Sequence, residues 1–272
     1  MGDFCADAYR IITGADIGLI NGGGIRGDID EGDITFNELL GIFPYSNKTC
    51  VSEVTGQQLV DLLEYAFVLY PEENGTFQQV SGISFDFDPL LPQPVKVDEN
   101  EEFVSVEGNR RISDVKVLNS ETGEYEPIDL NGKYTLASHG YLLMENGGGT
   151  TMLKGSTLLA DTGILDVELL ENYITESLSG VVGKEYAQSQ QRINILDEYI
   201  PLRKSFEDKG YEVIWSASEP KKILVNTPDS TIIFMADTNI VTVNGSAFES
   251  DRMAYIENGR TYISADCLSY CK

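Results

Sequence analysis

Three glycines between an amide and a guanidinium are the residues of this sequence best suited to binding chemistry. Asn21-Gly22-Gly23-Gly24-Ile25-Arg26 follows the apolar segment Ile17-Gly18-Leu19-Ile20, which predicts a buried strand that ends in a tight turn. Glycine lets the backbone approach a ligand closely, and arginine can form two parallel hydrogen bonds with a phosphate. The segment therefore predicts an anion site. A structural turn beside a surface arginine is the alternative.

Gly22, Gly24 and Gly27 also satisfy the GxGxxG spacing of dinucleotide-binding loops. That motif requires a helix directly after its last glycine, whereas the acidic segment 28–33 follows here and would repel a pyrophosphate. The same segment does not fit an EF-hand calcium loop, because Gly32 and Leu39 stand at ligand positions. We reject both interpretations.

Candidate metal ligands are few. His139 is the single histidine, whereas hydrolytic two-metal sites draw several histidines and carboxylates from scattered loops. The cysteines form no CxxC pair and are predicted to be core thiols; they are Cys5, Cys50, Cys267 and Cys271. We predict no catalytic residue, no metal ligand and no cofactor within this chain.

The elements that must position the glycine turn follow from hydrophobic periodicity. Helices are predicted at 3–12, from Thr35 to Leu40 with a capping box to Glu38, at 56–69 and around 167–174. Strands are predicted at 17–20, 49–54, 83–87, 112–118, 133–138 and 192–196. This order predicts an α+β domain with a mixed sheet over residues 1–196.

Residues 197–272 are rich in Tyr, Ile and Val and predict a small β-rich module, with strands at 211–215, 222–226, 231–235 and 239–243. The segment that begins at Tyr199 is similar to the one that begins at Tyr262, 63 residues later. Either the module is a repeat whose second copy is cut off, or the match is accidental.

Composition excludes two classes of partner. The formal net charge is −25, and residues 1–196 carry −21 of it, so a nucleic-acid polymer or an anionic membrane would be repelled over most of the surface. The sequence has no run of eighteen apolar residues, which predicts no transmembrane segment, and it does not open with a signal peptide. A small anion bound to this chain must be held locally.

The segment NGGGIRGDIDEGDITFNELLGIFPYSNKTCVSEVTGQQLVDLLE, at 21–64, closely resembles the C-terminal domain of the 5'-nucleotidase family. The resemblance continues through QQVSGISFDFD at 78–88 and KYTLASHGYLLMENGGGTTML at 133–153. It implies that a nucleotide or nucleoside binds here. It also implies an N-terminal metallophosphoesterase domain, absent from this chain, that holds two divalent metals.

The resemblance also implies roles for individual residues. Asn21 and Arg26 would face the substrate, with Arg26 on the phosphate. Tyr45 and Tyr141 would stack on opposite faces of the base, and Asn47 would bond its edge. The remaining predicted substrate-binding residues are glycines of the matching segments, namely Gly23, Gly24 and Gly82.

Two departures from the family pattern bear on this site. The family's GGDG loop, whose aspartate binds the ribose hydroxyls, is replaced by Asn146-Gly147-Gly148-Gly149, and we hypothesise that Glu145 substitutes for the aspartate. The phosphate-binding arginine that the family carries upstream is absent as well. The chain is therefore expected to be truncated at its start.

The tail resembles the stalk-like repeats named after the copper amine oxidase N-terminal domain, through EYIPLRKSFEDKGYEVIW and IENGRTYIS. It implies a spacer or attachment role and no copper chemistry. We expect a fragment of a secreted 5'-nucleotidase-like phosphatase of nucleotide catabolism, extracellular or associated with the cell wall, and inactive alone. The alternative is a non-catalytic surface-binding or adhesive module with a decayed nucleotide site.

Overall fold

The computed structural model describes residues 1–89, 91–196, 199–216, 218–219, 221–257 and 259–270. The chain divides into two units, Met1–Asn194 and Ile195–Lys272, and each has a hydrophobic core of its own. The first unit mixes helices and strands, and the second is almost entirely β-structure, as the sequence predicts.

Elements are numbered in chain order. The helices of the first unit are α1 (Gly2–Thr13), α2 (Phe36–Ile42), α3 (Gly56–Ala66), α4 (Gly140–Leu143) and α5 (Asp166–Asn172). Its strands are β1 (Ile17–Asn21), β2 (Lys48–Thr55), β3 (Gln78–Ser81), β4 (Ile83–Phe87), β5 (Val95–Val97), β6 (Phe103–Val106), β7 (Ile112–Leu118), β8 (Tyr125–Pro127), β9 (Lys133–His139), β10 (Thr157–Leu165) and β11 (Ile193–Ile195). Short 3-10 helices include Gly22–Gly24 and Gly147–Gly149.

Local sequence signals account for α2 and α3. The Thr35 hydroxyl accepts from Glu38 N, and a Glu38 carboxylate oxygen accepts from Thr35 N, so the predicted capping box is present. Thr55 and Gln58 form the same motif at the start of α3. The leucines of α3 recur at three- and four-residue steps and are buried, as the periodicity predicts.

A five-stranded sheet, in the order β10-β2-β9-β1-β3, forms the centre of the first unit. β1 and β9 are parallel, and the other neighbouring pairs are antiparallel. One face packs with α3 and a second, four-stranded sheet in the order β11-β4-β7-β8. The other face packs against α1, α2 and α5. Strands β5 and β6 form a separate hairpin.

β1 is buried on both faces, which explains its uninterrupted apolar sequence. Ile17 and Leu19 belong to the core on the α3 side, and Ile20 belongs to the core on the α1 side. A Cβ at Gly18 would lie 2.3 Å from the Ala6 carbonyl oxygen, so this glycine allows α1 to pack directly on the strand.

A buried polar cluster joins α1 to the last part of the first unit. The carboxylate of Asp7 accepts hydrogen bonds from Ser81 Oγ, from the Tyr186 hydroxyl at 2.8 Å and from Arg192 Nη2 at 2.8 Å. Arg192 Nη1 also donates to the Val80 carbonyl at 2.8 Å. These contacts satisfy a carboxylate that would otherwise be costly to bury.

The described residues of the second unit form a seven-stranded antiparallel sheet, one α-helix and the 3-10 helix Ala265–Tyr270. Its elements are β12 (Tyr199–Pro201), α6 (Leu202–Glu207), β13 (Glu212–Trp215), β14 (Lys222–Asn226), β15 (Thr231–Met235), β16 (Thr238–Val243), β17 (Ser246–Glu257) and β18 (Arg260–Ser264). The strand order is β12-β18-β17-β16-β15-β14-β13. The two segments proposed as repeats pair with each other here, because Tyr199 lies opposite Ser264 and Pro201 opposite Tyr262.

Each predicted strand overlaps an observed one, and four have the same bounds as β4, β7, β14 and β15. The strands that were not predicted include β3, β5, β6, β8, β10 and β17. β10 lies at the edge of its sheet and is exposed along most of its length, so it lacks the alternation that marks a half-buried strand. Cys5, Cys50 and Cys267 are buried, in line with the prediction of core thiols, and Cys271 lies outside the described residues. Among the described helices, none is both long and apolar enough to cross a membrane.

Candidate functional site

The predicted site residues come together because several loops meet at one edge of the five-stranded sheet. β1 and β9 are parallel, with Ile17 opposite Leu136, so both strands end at this edge. β2 and β3 run the other way and begin there, since Thr49 lies opposite His139 and Gln78 opposite Asn21. The loops that carry Asn21, Tyr45, Asn47 and Tyr141 therefore share this edge, which we call the loop edge.

The first glycine turn, Gly22–Gly24, packs closely on residues 74–77. Gly22 N donates to Phe77 O at 2.7 Å, and Gly23 N donates to Gly75 O at 2.9 Å. A Cβ at Gly23 would lie 3.1 Å from Gly75, and a Cβ at Gly24 would lie 3.1 Å from Asn21 Oδ1. Lack of space, rather than an unusual φ, is what requires glycine in this turn.

Asn21 is held by internal hydrogen bonds. Its Nδ2 donates to Gly75 O at 2.9 Å, and its Oδ1 lies 2.9 Å from His139 Nε2. Asn21 was predicted to face a substrate. In the structure its side-chain amide also holds the glycine turn in place, through the two hydrogen bonds to Gly75 and His139. One N–H of this amide remains for a ligand.

Sequence reasoning missed the role of His139 in this arrangement. The imidazole is buried, with 1% exposed, and burial lowers its pKa to about 4. Leu142 N donates to Nδ1 at 3.4 Å, so the second ring nitrogen carries the proton. No signal in the sequence could have paired His139 with Asn21, since 118 positions separate them.

Arg26 is exposed, and only its backbone N is anchored, through a hydrogen bond to Ile42 O at 2.9 Å. Its side chain forms no ion pair within the described residues. A cavity of about 530 Å³ lies beside it and is lined by Gly22, Gly23, Arg26, Ala66, Phe67, Tyr70, Glu72, Glu73, Asn74, Gly75 and Phe77. A guanidinium without an acidic partner, beside a glycine turn, can receive an anion.

A larger cavity, of about 1240 Å³, contains none of the predicted site residues. It is lined mainly by the acidic segment 28–34, by residues 180–184 and by apolar side chains of α1, α2 and the segment after α5. Five acidic side chains and one lysine line it, against two glutamates and Arg26 in the smaller cavity, so the larger cavity opposes the binding of a phosphate more strongly. We therefore place the candidate site at the loop edge, beside the smaller cavity.

Tyr45 and Asn47 precede β2. Tyr45 is 58% exposed, so its ring is available for stacking. Asn47 is bonded to Asp166, whose Oδ2 accepts from Asn47 N at 3.2 Å and from Asn47 Nδ2 at 3.4 Å. Burial raises the pKa of Asp166 to about 6. The predicted contact of Asn47 with a base edge must therefore use the part of its amide that Asp166 leaves open.

Tyr141 lies on α4, directly after β9, and is 41% exposed. One side of its ring rests on the second glycine turn, because a Cβ at Gly147 would lie 2.2 Å from ring atoms. The second turn is held from behind by Tyr65, whose hydroxyl lies 3.1 Å from Gly148 O. Glu145, the hypothesised ribose ligand, is exposed at the start of this loop.

Gly82 does not join the other predicted residues. It lies between β3 and β4, near the start of β1, where a Cβ would lie 2.1 Å from Asp16 O. Its φ of 74° is accessible to glycine at little cost. Its position, at the far end of β1 from Asn21, gives it a structural role in a chain reversal and corrects the prediction that it binds substrate.

The described residues offer no metal centre: among them, no group of three or more His, Cys, Asp or Glu side chains is arranged to hold an ion. The dimetal chemistry that the family resemblance implies does not fit these residues. The chemistry available at the loop edge is binding and orientation, through backbone N–H groups, one guanidinium and two exposed aromatic rings.

Comparisons with known proteins match the part of the chain that carries this site. The family model of the 5'-nucleotidase, C-terminal domain, matches residues 1–155, and that of the copper amine oxidase N-terminal domain matches residues 182–270. The loops that carry Asn21, Tyr45, Asn47 and Tyr141 all lie within the first match. The first match covers more than half of the chain.

Similar proteins include the trifunctional nucleotide phosphoesterase protein YfkN of Bacillus subtilis, 28% identical over 203 residues, which is 71% of this chain and 13% of that protein. The 5'-nucleotidase of Diplobatis ommata is 30% identical over 162 residues, 58% of this chain and 26% of that protein. The crystal structure of the 5'-nucleotidase precursor from Thermus thermophilus is similar with a TM-score of 0.60 and 27% identity, covering 72% of this chain and 35% of that one. The chain thus spans about one third or less of the length of these relatives.

Proposed function

The chain belongs to the 5'-nucleotidase family, through its C-terminal domain, and we propose that it is the nucleotide-recognition portion of a nucleotide phosphoester hydrolase. The observation that carries the proposal is the meeting of the first glycine turn, the Arg26 guanidinium and the exposed rings of Tyr45 and Tyr141 at one edge of one sheet. These groups match the parts of a nucleotide, namely a charged phosphate and a flat base.

In this proposal the chain binds and orients, and another domain performs the chemistry. Arg26 and the backbone of the first glycine turn receive the phosphate, while Tyr45 and Tyr141 hold the base. Correct placement of a substrate can lower a reaction barrier substantially without any acid or base from the binding domain. The two divalent metals of the family would be held outside the described residues, in a metallophosphoesterase domain.

Two further expectations belong to this proposal. We propose that the hydrolase acts outside the cytoplasm, in an extracellular or cell-wall setting, in line with the resemblance of the tail to stalk-like repeats. We also propose that residues 197–272 act as a spacer and take no part in nucleotide binding.

Calorimetric titration of the 272-residue chain with AMP and with adenosine tests the recognition role. Tyr45→Ala and Tyr141→Ala should each weaken binding of both ligands by about 1–3 kcal/mol, the usual contribution of base stacking on an aromatic ring. Arg26→Ala should weaken binding of AMP but leave that of adenosine unchanged, because only AMP carries the phosphate. Tyr125→Ala is the matched control, since Tyr125 is 39% exposed on β8, in the other sheet.

Two results would contradict the proposal. An absence of binding by the unmodified chain, for both ligands at millimolar concentration, would favour the non-catalytic surface module, which the missing ribose-binding aspartate also favours. Hydrolysis of AMP by the purified chain with added divalent metal would instead show that catalysis needs no further domain. Glu145→Ala tests the ribose hypothesis, which fails if adenosine affinity does not change.

A further inference from the structure

His139 connects the two parts of the loop edge that the proposed function assigns to the phosphate and to the base. Its Nε2 lies 2.9 Å from Asn21 Oδ1, beside the first glycine turn. Its ring centroid lies 5.9 Å from that of Tyr141, and it is the N-cap residue of α4, the helix that carries Tyr141. With 1% of the residue exposed, the imidazole cannot itself touch a ligand.

We propose that His139 is the positioning residue of this site: it fixes the carboxamide orientation of Asn21, and with it the first glycine turn, while it holds Tyr141 in place. The expected effect of His139 on nucleotide binding rests on the proposed function. Its effect on the structure, a single orientation of the Asn21 amide set by one imidazole, can be tested without any nucleotide.

The hydrogen-bond partners determine that orientation. Nδ1 accepts from Leu142 N at 3.4 Å, so the proton of the neutral ring is on Nε2 and is donated to Asn21 Oδ1. Asn21 Nδ2 is then left to donate to Gly75 O at 2.9 Å. A flipped amide would place two donors together at His139 and two acceptors together at Gly75, so only one orientation satisfies both neighbours.

The orientation of Asn21 matters to the turn because they share an acceptor and a packing surface. Gly75 O accepts from both Asn21 Nδ2 and Gly23 N, each at 2.9 Å. A Cβ at Gly24 would lie 3.1 Å from Asn21 Oδ1 and 3.6 Å from His139 Nε2, so the turn rests directly on this pair. A rotated Asn21 side chain would displace the turn that is proposed to receive the phosphate.

Two substitutions separate this role from helix capping. His139→Gln can keep an N–H donor near the position of Nε2, whereas His139→Asn keeps a cap acceptor near Nδ1 but loses the donor to Asn21. We expect the Gln variant to bind AMP within about twofold of the unmodified chain and the Asn variant to bind about tenfold more weakly, the upper range for loss of one hydrogen bond. Thermal unfolding should show that both variants are folded.

The reverse pattern, with affinity kept in the Asn variant and lost in the Gln variant, would overturn the proposal in favour of simple capping. Unchanged affinity in both variants would overturn it too. If both variants lose affinity, His139→Asn is combined with Asn21→Ala and compared with Asn21→Ala alone. No additional loss of AMP affinity supports the proposal, because His139 then acts through Asn21. A loss equal to that of His139→Asn in the unmodified chain overturns it.

A ligand-independent test uses the fact that the chain has one histidine. Nitrogen-15 spectra of its imidazole should show a proton on Nε2 and none on Nδ1; the opposite tautomer would overturn the proposal. The backbone amide signals of Gly22–Gly24 should shift in the Asn variant and stay in place in the Gln variant, and the reverse would overturn it. If the unmodified chain binds no AMP, the proposed function fails, and these spectra still decide the role of His139.

Discussion

Gly22–Gly24 and Gly147–Gly149 are both triple-glycine turns beside residues 74–76, yet glycine is needed in them for different reasons. In the first turn no glycine has a positive φ, and a Cβ would be merely tight, 3.1 Å from its nearest neighbour at Gly23 and at Gly24. In the second turn Gly148 and Gly149 have φ of 65° and 80°. A Cβ at Gly149 would also lie 2.1 Å from the Tyr65 hydroxyl oxygen.

The two glycine turns are also held in place by different kinds of neighbouring group. The first turn is held by a side-chain pair, Asn21 and His139, whose geometry depends on hydrogen bonds. The second is held by the Tyr141 ring on one side and by the Tyr65 hydroxyl on the other, which donates to Gly148 O at 3.1 Å. A change in the second turn should therefore affect folding, whereas a change in the first should affect binding.

The largest expected effect is that of Gly149→Ala. A methyl group would be forced toward the Tyr65 hydroxyl at a backbone conformation that alanine disfavours, so we expect the free energy of unfolding to fall by about 3 kcal/mol. Urea denaturation measures it. The matched control is Gly155→Ala, because Gly155 has φ of 87° but no atom within 4 Å of its Cβ position; an equal loss there would show that packing on Tyr65 contributes nothing.

Acid should weaken the pair that holds the first turn. The pKa of His139 is lowered by burial from 6.5 to about 4, so the unfolded chain takes up this proton at a higher pH than the folded chain. Stability should therefore fall as pH decreases from about 6.5 to 4, by about 3 kcal/mol for this one group. Urea denaturation across that range measures the loss.

His139→Gln is the reference for this pH experiment, because it removes the titrating group. Asp166, whose pKa is raised by burial to about 6, has the opposite sign: it favours the folded state at low pH and loses that contribution as pH rises through 6. Its effect is common to both proteins and cancels in their difference. Equal pH dependence in the two proteins would contradict the burial argument for His139.

The smallest expected change in stability is that of Gly23→Ala. Its Cβ would need Gly75 to move by a few tenths of an ångström, so we expect the free energy of unfolding to change by less than about 1 kcal/mol. AMP affinity should nevertheless fall by about tenfold, because the turn would be displaced from its neighbours. Calorimetry measures the AMP affinity, and urea denaturation of the same preparation measures the free energy of unfolding. A large loss of stability with normal affinity would contradict the claim that the first turn serves binding and the second serves folding.

The parts of the fold that could be predicted depend on short-range signals. The capping box of Thr35 and Glu38 and the apolar spacing of α3 lie within a few residues, so the sequence alone indicates them. β10 could not be predicted, because an exposed edge strand needs no alternation of apolar residues.

In the candidate site too, some features could be predicted from the sequence and others could not. A glycine turn after a buried strand is visible in the sequence, and the family resemblance brings in Tyr45 and Tyr141. The pairing of Asn21 with His139 is not visible, since it depends on which strands lie side by side in the sheet. Gly82 shows the converse error, because it lies in a matching segment yet stands at the far end of β1.

The cluster around Asp7 has a consequence for how the first unit is made. Asp7 and Arg192 are 185 positions apart, so α1 leaves the ribosome long before the residue that neutralises it. Long-range contacts of this kind slow folding and expose intermediates to aggregation. A shortened protein that ended at residue 155, where the first family match ends, would lack both Tyr186 and Arg192. The Asp7 carboxylate would keep the hydrogen bond from Ser81 but lose its countercharge. A protein produced for study of the nucleotide site should therefore extend at least through β11.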